Sequence, residues 1–223
     1  KLTQASAVYI NGEGTLHRLN QTTLGLMYLA YLAKTKLGKK VSIINHSCYP
    51  DGNSVNEQSP AFDIYQKVYR SLDYIAVREV ISIEEVKKMN VPVVQSFDCL
   101  PLFIERMYDK SQQNDRKDGQ KDIVIAGSVS WKGETMKEVA RLVEELHRQG
   151  FRLKLLVGTS ANIAGDDAHF VQALRNLLGV SCEFVFARSE QEWLSTIDNA
   201  QLLISGRFHH SIAAAFLHTP FIV

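Results

Sequence analysis

Arg207 and His209 stand two positions apart in Ser205-Gly-Arg-Phe-His209, directly after the apolar run Leu202-Leu-Ile204. The planar fork of an arginine matches a carboxylate or a phosphate. A histidine titrating near neutrality can carry a proton to or from a reacting atom. Other polar side chains also fall where short apolar runs end: Asn11, Glu13 and His17; Asn45 and His46; Arg78 and Glu79; Asp98; Ser128; Thr159 and Ser160. Each has a purely structural alternative. Arg207 can cap a neighbouring element, and His209 can be a core histidine with its bonds made. Arg78 can brace Glu79 or Asp98, Glu13 between two glycines can be turn chemistry, and His17 can be a surface side chain. Gly127-Ser-Val-Ser130, between a strand and a helix, can cradle a phosphate with its backbone N–H groups, although ordinary strand–helix loops look the same.

Several chemistries are excluded by pattern. The chain holds no Walker loop, GxGxxG fingerprint, HExxH helix or GxSxG elbow. Its three cysteines (Cys48, Cys99, Cys182) are odd in number, far apart and without a CxxC pair, which favours reduced thiols and a cytoplasmic setting over a disulfide framework or a zinc site. No metal is expected. With 25 basic against 24 acidic residues there is no global field that would draw nucleic acid or a membrane. The 45% hydrophobic content is that of an ordinary globular protein. No apolar run approaches the roughly 20 residues of a transmembrane helix. The chain starts at Lys1 and stops inside an apolar run, so a truncated C-terminus is expected, and a removed signal peptide is compatible with the start.

The elements that must position these residues alternate regularly. Strands are expected at 7–10, 41–44, 74–77 and from 93, and helices at 21–37, at 60–72 and after Ser82, which is read as a cap with Glu85 completing a capping box. Residues 21–37 place Leu26, Leu29, Ala30, Ala33 and Leu37 on one face, with Gly38 as C-cap. Residues 105–122 turn polar, and 112–118 have no apolar side chain, the composition of a linker or surface loop. Beyond it, strands are expected at 123–126, 153–157, 183–186, 202–204 and from 221. Helices are expected at 134–149, 166–178, after Ser189 and at 212–217. Two βα runs joined by a polar linker predict an α/β protein with two Rossmann-like parallel-sheet halves facing a cleft. The halves are residues 1–104 and 123–223, with 105–122 between them. The polar groups named above would then gather at the carboxyl ends of the strands, where open α/β sheets bind ligands.

Taken together, Asn11-Gly-Glu-Gly-Thr-Leu-His17, Val77-Arg-Glu79 followed by Ser82, Asp98, and Ser205-Gly-Arg-Phe-His209 with Pro220 downstream resemble the polysaccharide pyruvyltransferase family. The order and spacing cover most of the chain, and Ser-x-Arg-x-His is the most specific piece. Ahead of Pro220 the chain departs from the family pattern, with Leu217-His-Thr219 where a glycine is usual. The resemblance implies a GT-B-like pair of Rossmann domains, with the first half on the acceptor side and the second on the donor side. It implies transfer of pyruvate from phosphoenolpyruvate to a glycan or lipid-linked sugar as a cyclic ketal, in cell-envelope or exopolysaccharide biosynthesis. Phosphoenolpyruvate is a co-substrate, and no cofactor is implied. Arg207 and Arg78 would take the donor's anions, with Ser205, Phe208 and Ser128 beside it. His209 would act as general acid, and Glu13 as base or hydroxyl binder. Asn11, His17 and Asn45 would contact the acceptor. Such a protein would lie in the cytoplasm or at the inner face of the membrane. Two other functions fit the same elements: a nucleotide-sugar glycosyltransferase of GT-B type, and an inactive relative that only binds carbohydrate.

Overall fold

The structure, a computed structural model, describes residues 2–52, 59–109, 122–127, 133–157, 166–180 and 182–223. The chain divides into two compact units, Lys1–Cys99 and Leu100–Val223. Both are α/β units with wholly parallel sheets, the Rossmann-like fold class expected of a GT-B-like protein.

In the first unit a short 3₁₀ turn (Leu2–Gln4) leads into β1 (Ala7–Glu13), α1 (Gln21–Thr35), β2 (Lys40–His46), α2 (Pro60–Tyr69), β3 (Tyr74–Val77), α3 (Val80–Lys88) and β4 (Val94–Gln95). The strands pair in chain order, β1-β2-β3-β4. Successive right-handed crossovers that advance in one direction put every helix on one face. The core shows this: Ile10, Val41, Ile43, Ile75 and Val77 pack against Met27, Ala30 and Ala33 of α1, Phe62, Tyr65, Val68 and Tyr69 of α2, and Ile83 and Val86 of α3. On the alternate strand positions Tyr9, Tyr74 and Val94 are exposed. Leu29, expected on the buried face of α1, lies at its exposed margin, and Met27 and Thr23 are buried instead.

In the second unit α4 (Leu100–Met107), β5 (Asp122–Ala126), α5 (Glu134–Arg148), β6 (Arg152–Val157), α6 (Asp166–Leu177), β7 (Glu183–Phe186), α7 (Glu190–Asp198), β8 (Leu202–Ser205), α8 (Phe208–Leu217) and β9 (Phe221–Ile222) follow in order. The sheet runs β7-β6-β5-β8-β9, so the order reverses between β5 and β8. Helices cover both faces of this sheet, the usual arrangement for parallel strands. Ile123, Ile125, Leu155 and Ile204 meet Met136, Val139 and Val143 of α5 and Leu174 of α6. Val124, Ala126 and Leu203 meet Ile104 of α4, Trp193, Leu194 and Ile197 of α7, and Ala213, Ala214 and Leu217 of α8.

Three expectations change. The division falls between Cys99 and Leu100, not at 104–105, because α4 buries Ile104 against the second core together with Tyr108 just beyond it. Asp122 opens β5 and is not part of a linker, while 110–121 lie outside the described residues. The last helix starts at Phe208, four residues before the expected start, so His209 and His210 occupy its first turn.

Candidate active site

At the carboxyl edge of the first sheet, β2 carries a bulge: Ile43 pairs with Ile75, but the next partners are His46 and Val77. Asn45 sits in the irregularity with φ 49°, a left-handed conformation that asparagine tolerates better than most residues. The extra residue re-aims two side chains. His46 turns into the core, with its Nδ1 3.0 Å from the Ala76 carbonyl oxygen and its Nε2 2.9 Å from the Tyr69 hydroxyl. Burial pushes this imidazole down to about 4, against a raising contribution from the Ala76 bond. Gly12 lies against it, and a Cβ there would stand 2.6 Å from His46 Cβ. Asn45 turns to the edge instead: its Nδ2 donates to Asn11 Oδ1 (2.9 Å) and its Oδ1 accepts the Cys99 N–H (3.3 Å). Asn11 Nδ2 in turn donates to Glu13 Oε1 at 3.1 Å. Glu13, Asn11, Asn45 and Cys99 thus form one continuous chain of hydrogen bonds along the edge.

Arg78 follows β3 directly. Its Nη1 donates to Asp98 Oδ2 at 2.7 Å and its Nε to Ser47 Oγ at 3.1 Å. The two charged side chains are only 8% and 6% exposed, so this is a buried pair. Bracing Asp98, the structural alternative for Arg78, is what its position provides. Glu79 is the N-cap of α3, in place of the expected Ser82. Its carboxylate accepts the Ser82 N–H and the Ser82 and Tyr49 hydroxyls. Ser82 Oγ also accepts the Cys48 N–H, which ties α3 to the loop after β2. A carboxylate at this N-cap suits the positive end of the helix. His17 is half-buried against the Tyr49 ring, with centroids 5.6 Å apart.

At the carboxyl edge of the second sheet, Ser205 ends β8 in register with Ala126 of β5, at the point where strand order reverses. Ser205 is fully buried; its Oγ accepts the Arg207 N–H (3.1 Å) and lies 3.0 Å from His210 Nδ1. That bond turns the chain sharply, leaving Arg207 extended (φ −103°, ψ 126°) as the N-cap of α8. The Arg207 side chain does not cap its own helix. Phe208 is exposed, and its ring meets that of His209 edge-on at 5.7 Å. His209 is half-buried. His210 is different: buried, against Trp193 at 5.4 Å, and pushed down to about 3 by burial, with the charges of Arg207 and His209 adding to the effect. Of two consecutive histidines, one belongs to packing and one to the sheet edge.

The sequence candidates therefore gather in two groups. Asn11, Glu13, Asn45, Arg78 and Asp98 share the first edge, with His17 set apart beside Tyr49. Ser205, Arg207, Phe208 and His209 share the second. Ser128, Thr159 and Ser160 lie outside the described residues. No motif or spacing in the sequence singles out Ser47, whose hydroxyl holds Arg78, or the exposed Phe97. The three cysteines are all free. Among the described residues no group of three metal-ligating side chains is found, and no helix is long and apolar enough to cross a membrane.

The sequence model of the family described as polysaccharide pyruvyl transferase matches residues 2–223. No curated protein matches the sequence. Among solved structures, the S. aureus MnaA–UDP co-structure is similar with a TM-score of 0.66 at 13% identity, over 100% of this chain and 59% of that one. The UDP-GlcNAc 2-epimerase of Neisseria meningitidis bound to UDP-GlcNAc gives 0.60 at 14% identity, over 92% and 57%. The UDP-GlcNAc 2-epimerase of Methanocaldococcus jannaschii gives 0.62 at 11%, over 98% and 60%. The chain spans less than two thirds of the length of these structures, and at such identities the likeness is one of fold.

Proposed function

Because the chain belongs to the polysaccharide pyruvyl transferase family, we propose that it transfers pyruvate from phosphoenolpyruvate to two hydroxyls of a sugar, forming a cyclic ketal and releasing phosphate. The observation that carries this is the position of Arg207 and His209: at the N-terminus of α8, beside the β5–β8 reversal of the second sheet. Ligands of open α/β sheets bind at such reversals, and a helix N-terminus favours an anion. An arginine fork adds the match to carboxylate or phosphate. His209, one residue into the helix, is assigned the role of proton donor to a bound anion.

The chemistry balances on these groups. His209 gives a proton to the methylene carbon of phosphoenolpyruvate, and positive charge develops at C2. One sugar hydroxyl adds at C2 and loses its proton. Phosphate leaves with the C2–O bond pair, and the second hydroxyl closes the ring as its own proton is taken up. Of the two hydroxyl protons, one in net replaces the proton now on the methyl group and the other leaves with phosphate. Glu13 is assigned to binding or deprotonating an acceptor hydroxyl, with Asn11 and Asn45 fixing its carboxylate. Arg78, engaged by Asp98 and Ser47, is assigned to holding the first edge in shape.

Incubation with phosphoenolpyruvate and a panel of β-galactosides, glucosides and N-acetylmannosamine-containing lipid-linked glycans tests the proposal. The expected result is phosphate release with an acceptor that gains one pyruvate less one water. Sugar transfer from a nucleotide sugar, with no phosphate released from phosphoenolpyruvate, would replace it with a glycosyltransferase.

A further inference from the structure

Residues 96–99 cross the carboxyl edge of the first sheet and are pinned at three of their four positions. The Ser96 N–H donates to the Val77 carbonyl oxygen (2.8 Å), Asp98 holds Arg78 in the buried pair, and the Cys99 N–H donates to Asn45 Oδ1 (3.3 Å). Phe97 is the residue between these anchors, and it is 58% exposed. A large apolar ring on a mobile loop can fold back onto the surface, but one on a pinned backbone is held out in water. The hydrogen bonds of that edge run on from the Cys99 N–H to the Asn45 amide, from Asn45 to Asn11, and from Asn11 to the Glu13 carboxylate. The two residue steps from Phe97 to Cys99 span at most about 7 Å. Of the other exposed aromatics of this unit, Tyr28 lies in α1 and Tyr74 at the start of β3, while Tyr9 lies in the middle of β1, two positions before Asn11 on the same exposed face.

An exposed aromatic ring on the same sheet edge as planar amides and a carboxylate suits a ligand with an apolar face and a hydroxylated rim. A pyranose ring has that shape: C–H groups gather on one face, and hydroxyls radiate from the edge. We propose that Phe97 is the stacking platform for the acceptor sugar, its ring covering the C–H face while Glu13, Asn11 and Asn45 meet the hydroxyls. Phe97 would thereby select which ring, and which face of it, presents hydroxyls to Glu13. This rests on the function proposed above, in which a sugar is the acceptor.

Saturation-transfer NMR on the full chain tests it with methyl β-D-galactopyranoside, methyl β-D-glucopyranoside and N-acetyl-D-mannosamine as probes. Ring protons of one sugar face should receive the strongest saturation. Phe97→Ala should weaken the affinity of the bound probe about 3- to 10-fold, the usual worth of an aromatic contact beyond its area. Phe97→Trp should keep or raise it, and both variants should melt with the wild type because the ring is exposed. A Phe97→Ala chain that binds as tightly as wild type overturns the platform and leaves pyruvyl transfer standing. A wild type that binds none of the three probes overturns the platform too, and phosphate release with phosphoenolpyruvate then decides separately about transfer.

Discussion

The carboxyl edges of the two sheets solve different problems. The first is a network in which the side chains of Glu13, Asn11, Asn45, Asp98, Arg78 and Ser47 and the backbone N–H of Cys99 each have a protein partner. The second concentrates positive potential: an arginine, a half-buried histidine and the N-terminus of a ten-residue helix, set at a reversal of strand order. A network of mutually hydrogen-bonded groups presents shaped hydrogen-bonding capacity, which suits a neutral polyol. A helix end with a cation presents charge, which suits a small anion. The two edges match the two proposed substrates by physical character and not only by sequence pattern.

The sharpest way to break this contrast is at the two histidines. His209→Gln keeps shape and hydrogen bonding but cannot deliver a proton near neutral pH, so turnover should fall roughly 10²–10⁴-fold with donor affinity little changed. His210→Gln should act on melting and leave the rate nearly intact. Equal rate losses at both positions, measured by steady-state phosphate release, would show that the second edge does not divide its labour as described.

At the first edge the largest effect should be on stability. Arg78→Ala leaves Asp98 buried without its cation, at a cost of about 3–5 kcal/mol, visible as a lowered denaturation midpoint of the first unit. A double change to apolar residues, Arg78→Met with Asp98→Leu, should recover much of the loss. If Arg78→Ala melts normally but binds phosphoenolpyruvate poorly, Arg78 is a donor contact and the contrast between the edges fails.

Acid should separate the units from a third direction. His210 and His46 are both held neutral, with folded values near 3 and 4 against an ordinary 6.5. A histidine with a depressed folded pKa binds fewer protons folded than unfolded. The stability it contributes is therefore complete above pH 6.5 and is lost as pH falls toward the folded value, on the order of 3 kcal/mol each by pH 4. His210→Gln should flatten the pH dependence of unfolding of the second unit between pH 6.5 and 4, and leave that of the first unchanged. The smallest effect is expected at Gly12→Ala, which forces a methyl onto His46 Cβ and should cost about 1–3 kcal/mol. Donor binding should be unaltered in this variant, as measured by equilibrium titration with phosphoenolpyruvate.

Strands and most helices were legible because short apolar runs, amphipathic stripes and turn residues are local signals. Ile123–Ala126 and the helix from Glu134 are examples, appearing within a residue or so of their expected places. The misses have non-local causes. Leu100–Met107 is short and runs into a polar stretch, and only burial against α8 and the core beneath it makes it part of the second unit. Phe208-His-His-Ser does not read as buried helix, yet Trp193 and Ser205 give His210 an interior partner on each side. The bulge that separates His46 from Asn45 leaves no mark in the sequence, because it depends on the register of β2 against β3. At the site, residue types raise an expectation of chemistry, but the pairing of Arg78 with Asp98 depends on a partner twenty residues away.

Strand order also bears on the sequence of events at the ribosome. In the first unit each strand finds its neighbour as soon as the next one is made, since β1, β2, β3 and β4 pair in chain order. In the second unit β5, buried along its whole length, gains β6 early but must wait for β8 before its other edge is closed. The intervening chain has to be synthesised first, and contacts so distant in sequence form slowly. Until then a nascent chain carries an apolar strand with one open edge, the state most prone to pair with another chain. The reversal of strand order thus makes the second unit the late and vulnerable step of biogenesis, while the first can be complete before it begins.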